Sequence, residues 1–153
     1  MREEELEGAA LLAAAMGLAA AAHTGRVDQA GQPYLAHPLR VAARLAGHGE
    51  HAVAAGLLHD TVEDSNQTLE GLRAAGIPEA VCEAVDALTK RDGEPYEQAV
   101  ERAAAHPLAA AVKAADIADN TDPARLALLD APTRQRLQDK YTAARRHLET
   151  HTA

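Results

Sequence analysis

Apolar residues recur every three or four positions along most of the chain, the spacing that keeps them on one face of an α-helix. Two such faces are formed by Leu39, Val41, Ala42 and Leu45, and by Leu108, Val112, Ala115 and Ile117. Prolines and glycines separate the periodic segments and mark where helices begin or end. The pattern predicts helices over residues 3–22, 51–60, 78–89, 95–105, 107–120 and 124–129. It also predicts a helix that opens at residues 34–38 and runs to about residue 45, a short helix that ends near residue 75, and a last helix from residue 132 onward. We therefore expect an all-α helical bundle that forms a single compact domain over residues 1–153.

A polar loop, residues 24–33, separates the first two predicted helices and has the character of a binding-site rim. Pro38 fits the first position of the following helix, where a missing N–H costs little. His37 then lies just before that helix and is either a simple cap or a side chain pointing into a neighbouring cleft. Ser65 or Asn66 is the predicted N-cap of the short helix.

The composition is rich in alanine and leucine, and the three tyrosines are the only aromatic residues, which favours closely packed helices. The formal net charge of −8 argues against a nucleic-acid partner, because such proteins present a basic face. The same charge repels a phosphate substrate unless a divalent cation and local basic residues reverse the sign inside a cleft.

The cysteine content and the apolar segments bear on the compartment. Cys82 is the only cysteine, so no intrachain disulfide can form and a reducing compartment is expected. The apolar run at residues 9–22 follows three glutamates, the wrong charge for a secretory signal, and is too short and alanine-rich to span a bilayer. We expect a soluble, cytoplasmic protein with no membrane partner.

Four chemically active side chains lie within six residues at the end of the predicted helix 51–60. His59 and Asp60 offer a nitrogen and an oxygen ligand, and Glu63 and Asp64 follow three and four positions later. On a continuing helical turn this spacing places all four on one side. The segment can then supply both metal ligands and acid–base groups, or it is a solvated acidic helix end.

Two further residues can join the pair His59 and Asp60. His37 stands at the start of one helix, and Asp116 lies near the apolar face of another, where a carboxylate is either a buried structural group or a ligand. Two imidazoles and two carboxylates suit a divalent ion with open water positions. A zinc finger is excluded because the chain has no cysteine pair.

The order of the motifs carries a resemblance. The chain reads His23-x-Gly25, Gly31-x-Pro33-Tyr34-x-x-His37-Pro38, His59-Asp60-x-x-Glu63-Asp64 and Lys113-x-x-Asp116-x-x-x-Asn120. This series resembles the HD-domain phosphohydrolases, and most closely the stand-alone alarmone hydrolase domains of the RelA/SpoT type. The resemblance covers residues 21–120 and implies an HD-domain helical bundle.

The resemblance also implies roles for single residues. One manganese ion would be held by His37, His59, Asp60 and Asp116. Glu63 and Asp64 would activate water and handle protons, and Asn120 would lie near the ribose and phosphates. The implied reaction removes the 3′-pyrophosphate from guanosine tetra- or pentaphosphate, a small-molecule partner. The oligomeric state is left open.

Basic residues offer further substrate contacts, but one loop departs from the family pattern. Arg26, Lys113 and Lys140 are candidates for offsetting the substrate charge. Where the family carries basic residues against guanine, this chain has Asp28, which cannot replace a stacked arginine and either accepts hydrogen bonds from a base edge or forms a turn. Two alternatives therefore remain: the same chemistry on another nucleotide or phosphate ester, and a non-catalytic nucleotide sensor.

Overall fold

The computed structural model describes residues 4–152, whose regular structure is helical apart from one isolated antiparallel bridge between Val27 and Pro33. The helices are α1 (Gly8–His23), α2 (Ala36–Arg44), α3 (Glu50–Leu58), α4 (Thr61–Asp64), α5 (Leu69–Ala74), α6 (Glu79–Leu88), α7 (Tyr96–Ala104), α8 (Pro107–Asn120), α9 (Pro123–Leu126) and α10 (Ala131–Thr152), with a 3₁₀ turn at Ala46–His48.

Helix α3 lies at the centre of the bundle and contacts α1, α2, α6 and α8. Alanine and glycine make this possible, because small side chains let helix backbones approach closely. At Gly56 an added Cβ would lie 2.9 Å from Leu45 Cδ1 and 3.3 Å from the backbone of Ala42. Gly56 thus permits the close contact between α2 and α3, which brings His37 on α2 near His59 at the end of α3.

A second, smaller core lies between α7, α8 and α10. Its buried members are Val100, Ala104, Ile117, Ala144 and Leu148, with Tyr96 and Tyr141 packed against them. Helix α8 contacts both the central helix and this second group. It also supplies Lys113, Asp116 and Asn120 to the cavity that holds the candidate site.

Several predicted helix boundaries are wrong. The first helix begins at Gly8 rather than at residue 3, which lies outside the described residues. The backbone N–H of Leu6 donates to Gly76 O at 2.8 Å. The segment before α1 is therefore bonded to the loop between α5 and α6 and does not extend the helix. Gly8 has a φ of +57°, a left-handed conformation that breaks the chain direction there.

Three further boundaries shift for local reasons. Pro38 is the third residue of α2, which starts at Ala36. The N-cap of α5 is Thr68, whose side chain accepts from Gly71 N, while the predicted cap Ser65 donates to Thr61 O. The predicted helix 51–60 ends at Leu58, and α4 begins after a break at residues 59–60.

No helix within residues 4–152 is both long and apolar enough to cross a membrane. Helix α1, the alanine-rich segment, instead contacts α3 through its buried side.

Candidate metal centre and acid pair

The structure brings together the four predicted metal ligands from α2, α8 and the break after α3. His37 Nε2 lies 2.9 Å from Asp116 Oδ1 and 3.9 Å from Asp60 Oδ2. His59 Nε2 lies 3.1 Å from Asp60 Oδ2 and 3.4 Å from Asp116 Oδ1. Two ring nitrogens and two carboxylates therefore face a common point, while their roles as ligands stay a prediction.

Each imidazole is held from behind through Nδ1. His59 Nδ1 lies 2.6 Å from Gly56 O, and His37 Nδ1 lies 2.6 Å from Asp119 Oδ2. Because both partners are acceptors, they favour a proton on Nδ1 of each ring, and loss of any second proton then leaves Nε2 able to bind a metal.

The donor set fits a divalent cation. His59 Nε2 is buried and makes no hydrogen bond with any described residue, although two carboxylate oxygens lie within 3.4 Å. A neutral imidazole would there direct a lone pair at carboxylates. A cation shared between the three groups would remove that repulsion and satisfy the buried nitrogen.

The pKa shifts of the cluster show that its carboxylates favour a positive charge between them. Burial would lower the pKa of His59, but Asp60 and Asp116 raise it well above 6.5. Burial would raise the pKa of Asp116, but Lys113, His37 and His59 hold it well below 3.8. Burial opposes the ionised form of Asp60 too, yet His59 lowers its pKa to about 2. The carboxylates stay ionised and attract any positive charge offered to them.

Glu63 and Asp64 stand beside this cluster on α4. Oxygen atoms of Asp60, Glu63 and Asp64 lie within 4.8 Å of one another, so the break after α3 still places the acid pair next to the predicted ligands. Burial, with repulsion from Asp60 and Glu63, raises the pKa of Asp64 despite Arg26 nearby. Glu63 is exposed and accepts a hydrogen bond from Lys90 N at 2.8 Å. The two carboxylates therefore occupy different environments, which suits different proton-handling roles.

A cavity of about 720 Å³ opens in front of these groups and is lined by all four predicted substrate residues, Arg26, Lys113, Asn120 and Lys140. Asn120 Nδ2 donates to Asp116 Oδ1 at 3.1 Å, and Lys113 Nζ donates to Asp116 Oδ2 at 3.2 Å. Arg26 lies 3.6 Å from Asp64 Oδ2. Lys140 has no acidic partner among residues 4–152, and its ammonium lies 4.4 Å from the ring centroid of Tyr96.

Asp28 forms a turn in the polar loop. Its Oδ1 accepts from Ala30 N and Gln32 N, both at 2.9 Å, and its Oδ2 accepts from Arg125 at 3.0 Å. Both carboxylate oxygens are thus engaged within the protein, which favours the turn over contact with a base edge.

Sequence reasoning missed three polar residues around the site. Tyr34 donates its hydroxyl to Asp60 Oδ2, and Asp119 and Arg125 form a network behind His37. Tyr34 stood within a recognised motif, and Asp119 lies three residues after Asp116, a spacing that shares a helix face. Nothing in the sequence marked Arg125.

Comparison with known proteins identifies the fold family. Residues 15–116 match the family described as HD domain, which is well over half of the chain. The chain belongs to the HD domain family. The predicted all-α HD-domain bundle is thereby confirmed, and the HD domain carries a candidate divalent-metal site at His37, His59 and Asp60.

Similar proteins include a Haemophilus influenzae protein named guanosine-3′,5′-bis(diphosphate) 3′-pyrophosphohydrolase, 42% identical over 73 residues, which are 46% of this chain and 11% of that protein. An Aquifex aeolicus protein of the same name is 32% identical over 108 residues, covering 64% of this chain and 15% of that protein. A Streptomyces coelicolor GTP pyrophosphokinase is 41% identical over 81 residues, covering 52% and 9%. The HD domain described here therefore spans 15% or less of these curated relatives.

A solved structure shares the fold over nearly the whole chain. It is described as a metazoan ortholog of SpoT that hydrolyzes ppGpp, and it superposes with a TM-score of 0.73 at 24% identity. The match covers 95% of this chain and 87% of the other. At this identity the similarity establishes the fold.

Proposed function

We propose that the chain is a metal-dependent pyrophosphohydrolase that removes the 3′-pyrophosphate from guanosine 3′,5′-polyphosphates. The observation that carries the proposal is the convergence of His37, His59, Asp60 and Asp116 beside a separate acid pair in an open cavity. The names of the relatives from Haemophilus influenzae and Aquifex aeolicus support the same reaction.

Manganese is the proposed ion, held by His37, His59, Asp60 and Asp116. Two carboxylates beside two imidazoles suit a relatively hard ion such as manganese, whereas zinc favours sites rich in thiolates. When bound, the ion supplies Lewis-acid polarisation of a phosphoryl oxygen and lowers the pKa of a coordinated water. Tyr34, which donates to Asp60, fixes the orientation of that carboxylate towards the shared point.

The acid pair has the proton-handling role in this proposal. Asp64 has a raised pKa and a side chain that is only 26% exposed, so its carboxylate binds a proton more readily than that of an ordinary aspartate. Glu63 is exposed at the cavity wall and can exchange that proton with solvent. Both carboxylates lie next to Asp60 and hence next to the proposed ion.

The basic residues of the cavity suit a substrate with several phosphates. Lys113 neutralises Asp116, while Lys140 is an exposed residue of the cavity wall and has no acidic partner among the described residues. Because the Lys140 ammonium has no carboxylate partner there, it can donate charge-assisted hydrogen bonds to an anionic ligand group in the cavity. Asn120 lies one helical turn from Asp116 and offers an amide to ribose or phosphate oxygens.

One observation favours a second candidate, the same chemistry on another nucleotide. The carboxylate of Asp28 is fully used in its turn and in its pair with Arg125, so the loop offers the base neither a stacked cation nor a free acceptor at this position. Guanosine specificity would then depend on other parts of the cavity.

The test uses protein stripped with a chelator and reconstituted with manganese, zinc or magnesium. Guanosine 3′,5′-polyphosphates and their adenosine counterparts are supplied, and pyrophosphate and phosphate release are measured separately. We expect pyrophosphate from the guanosine compounds with manganese. Pyrophosphate release from the guanosine and the adenosine compounds at similar kcat/KM would support the second candidate instead.

Variants connect turnover to the site. His59→Ala should lose manganese binding and turnover, whereas the control His51→Ala should keep both, because His51 is an exposed histidine on α3, the helix that ends just before His59. Glu63→Gln and Asp64→Asn should keep the metal and lose turnover, by roughly 10²–10⁴-fold for the main proton acceptor. Tight binding of metal and nucleotide without any turnover in the wild type would refute the enzyme and favour the sensor.

A further inference from the structure

A buried carboxylate behind the candidate metal centre links it to a distant loop. Asp119 is 1% exposed and receives three side chains. His37 Nδ1 and Arg125 Nη1 lie 2.6 and 2.8 Å from its Oδ2, and Arg40 Nε donates to its Oδ1 at 2.8 Å. Both oxygens of Asp119 are thus occupied by donors, one of which is the ring of a predicted ligand.

The guanidinium of Arg125 extends this network to the polar loop. Its Nη1 donates to Asp119 Oδ2, and its Nη2 donates to Asp28 Oδ2 at 3.0 Å. Asp28 holds the loop from the other oxygen, by accepting from the N–H groups of Ala30 and Gln32. One planar fork therefore joins the carboxylate behind His37 to the carboxylate that shapes the loop.

We propose that Asp119 and Arg125 are positioning residues that couple the metal-ligating His37 to the loop at residues 28–32. The inference rests on the proposed function only for the identity of His37 as a ligand. A bound ion fixes the His37 ring, which fixes Asp119 and, through Arg125, the loop that lines the cavity. Such coupling is reciprocal, so a loop held in place also strengthens metal binding.

Asp119→Asn isolates the first link because an amide cannot replace this carboxylate. If its oxygen faces His37, its NH₂ faces Arg40, and two donors oppose each other. If the amide is flipped, its NH₂ faces His37 Nδ1 and forces the proton onto Nε2, which then cannot bind metal. Either orientation weakens the site.

Asp28→Asn isolates the second link without destroying the turn. The remaining oxygen can still accept from Ala30 and Gln32, but the NH₂ group now faces Arg125. Arg125→Lys acts from the other end, since one ammonium cannot bridge two carboxylates as a guanidinium does. Asp122→Asn is the matched control. Asp122 is a half-exposed neighbour outside the network that caps α9 and pairs with Arg44, and asparagine caps a helix as well as aspartate does.

The test measures manganese affinity of the metal-free protein by calorimetry, with manganese alone as the probe. Asp119→Asn should weaken binding about 10–100-fold, the usual effect of losing a carboxylate behind a metal-bound histidine. Asp28→Asn and Arg125→Lys should weaken it about threefold or more, although neither residue is a predicted ligand. Asp122→Asn should match the wild type.

Hydrogen exchange supplies the readout that a merely structural role would not change. Manganese should slow exchange of the Ala30 and Gln32 amides in the wild type, and this protection should disappear in Arg125→Lys at saturating manganese. Wild-type affinity in all three variants, or equal loop protection with and without Arg125, would overturn the coupling even in an active enzyme. A wild type that binds no divalent ion would overturn both this inference and the proposed function.

Discussion

Removing Asp116 should destabilise the metal-free protein as well as abolish metal binding. Asp116 is 6% exposed, and Lys113 Nζ lies 3.2 Å from its Oδ2 with a side chain that is 16% exposed. Asp116→Ala leaves this ammonium without its acidic partner. Breaking such a buried pair costs about 3–5 kcal/mol of unfolding free energy, which for a chain of this size lowers Tm by roughly 6–20 °C. The imidazoles of His37 and His59 can lose their protons more readily, so Lys113 carries most of the cost.

The assay is thermal and urea unfolding in the presence of a chelator, so that lost metal does not contribute. Lys113→Met in the Asp116→Ala background is the decisive variant, because it removes the uncompensated cation while keeping an apolar side chain. We expect it to recover most of the lost Tm. A fall below about 2 °C for Asp116→Ala, or no recovery in the double variant, would refute the electrostatic reasoning.

Three other predictions concern packing, pH and substrate charge. Gly56→Ala should lower the unfolding free energy by about 1–3 kcal/mol, measured by urea titration, because its methyl group would displace the Leu45 side chain and press against the backbone of Ala42 at 3.3 Å, which moves α2 away from α3. Manganese affinity should rise with pH through the region above 6.5, because the metal binds neutral His59 and the pKa of His59 in the metal-free protein is raised above 6.5. Calorimetry in buffers of different ionisation enthalpy should detect the proton that manganese binding releases. Lys140→Met should raise KM for a guanosine 3′,5′-polyphosphate about tenfold with little change in kcat, measured by steady-state kinetics, and equal KM values would contradict a phosphate contact.

The fold, and the clustering of the four predicted ligands, could be predicted from the sequence because their signals are mostly local. Helical periodicity depends on residues three and four positions apart, and adjacent pairs such as His59 and Asp60 stand out without knowledge of tertiary contacts. The ordering of motifs then related His37 and Asp116 to that pair. The distances show that these four residues lie together even though α3 ends earlier than expected, while their roles as metal ligands stay a prediction.

The supporting network could not be predicted, because its contacts join residues far apart in sequence. Arg125 meets Asp28 across 97 positions, and Asp119 meets His37 across 82. An arginine in a short linker helix is ordinarily a solvated residue, so composition gives no reason to select it. The same limit explains the start of α1, which is set by Leu6 bonding to Gly76 rather than by helical propensity.

The charge distribution bears on the proposed binding of a polyanionic substrate by an acidic chain. The chain carries −8, yet the cavity is lined by five basic residues, Arg26, Arg40, Lys113, Arg125 and Lys140, and by five acidic ones, Asp28, Asp60, Glu63, Asp64 and Asp116. The lining is therefore formally neutral, and one divalent ion at His37 and His59 makes it positive. Because the cavity excludes part of the solvent, this local charge acts on a bound phosphate more strongly than the screened charges of the outer surface. Metal binding is thus expected to control substrate affinity as well as chemistry, and nucleotide affinity should fall sharply when the ion is removed.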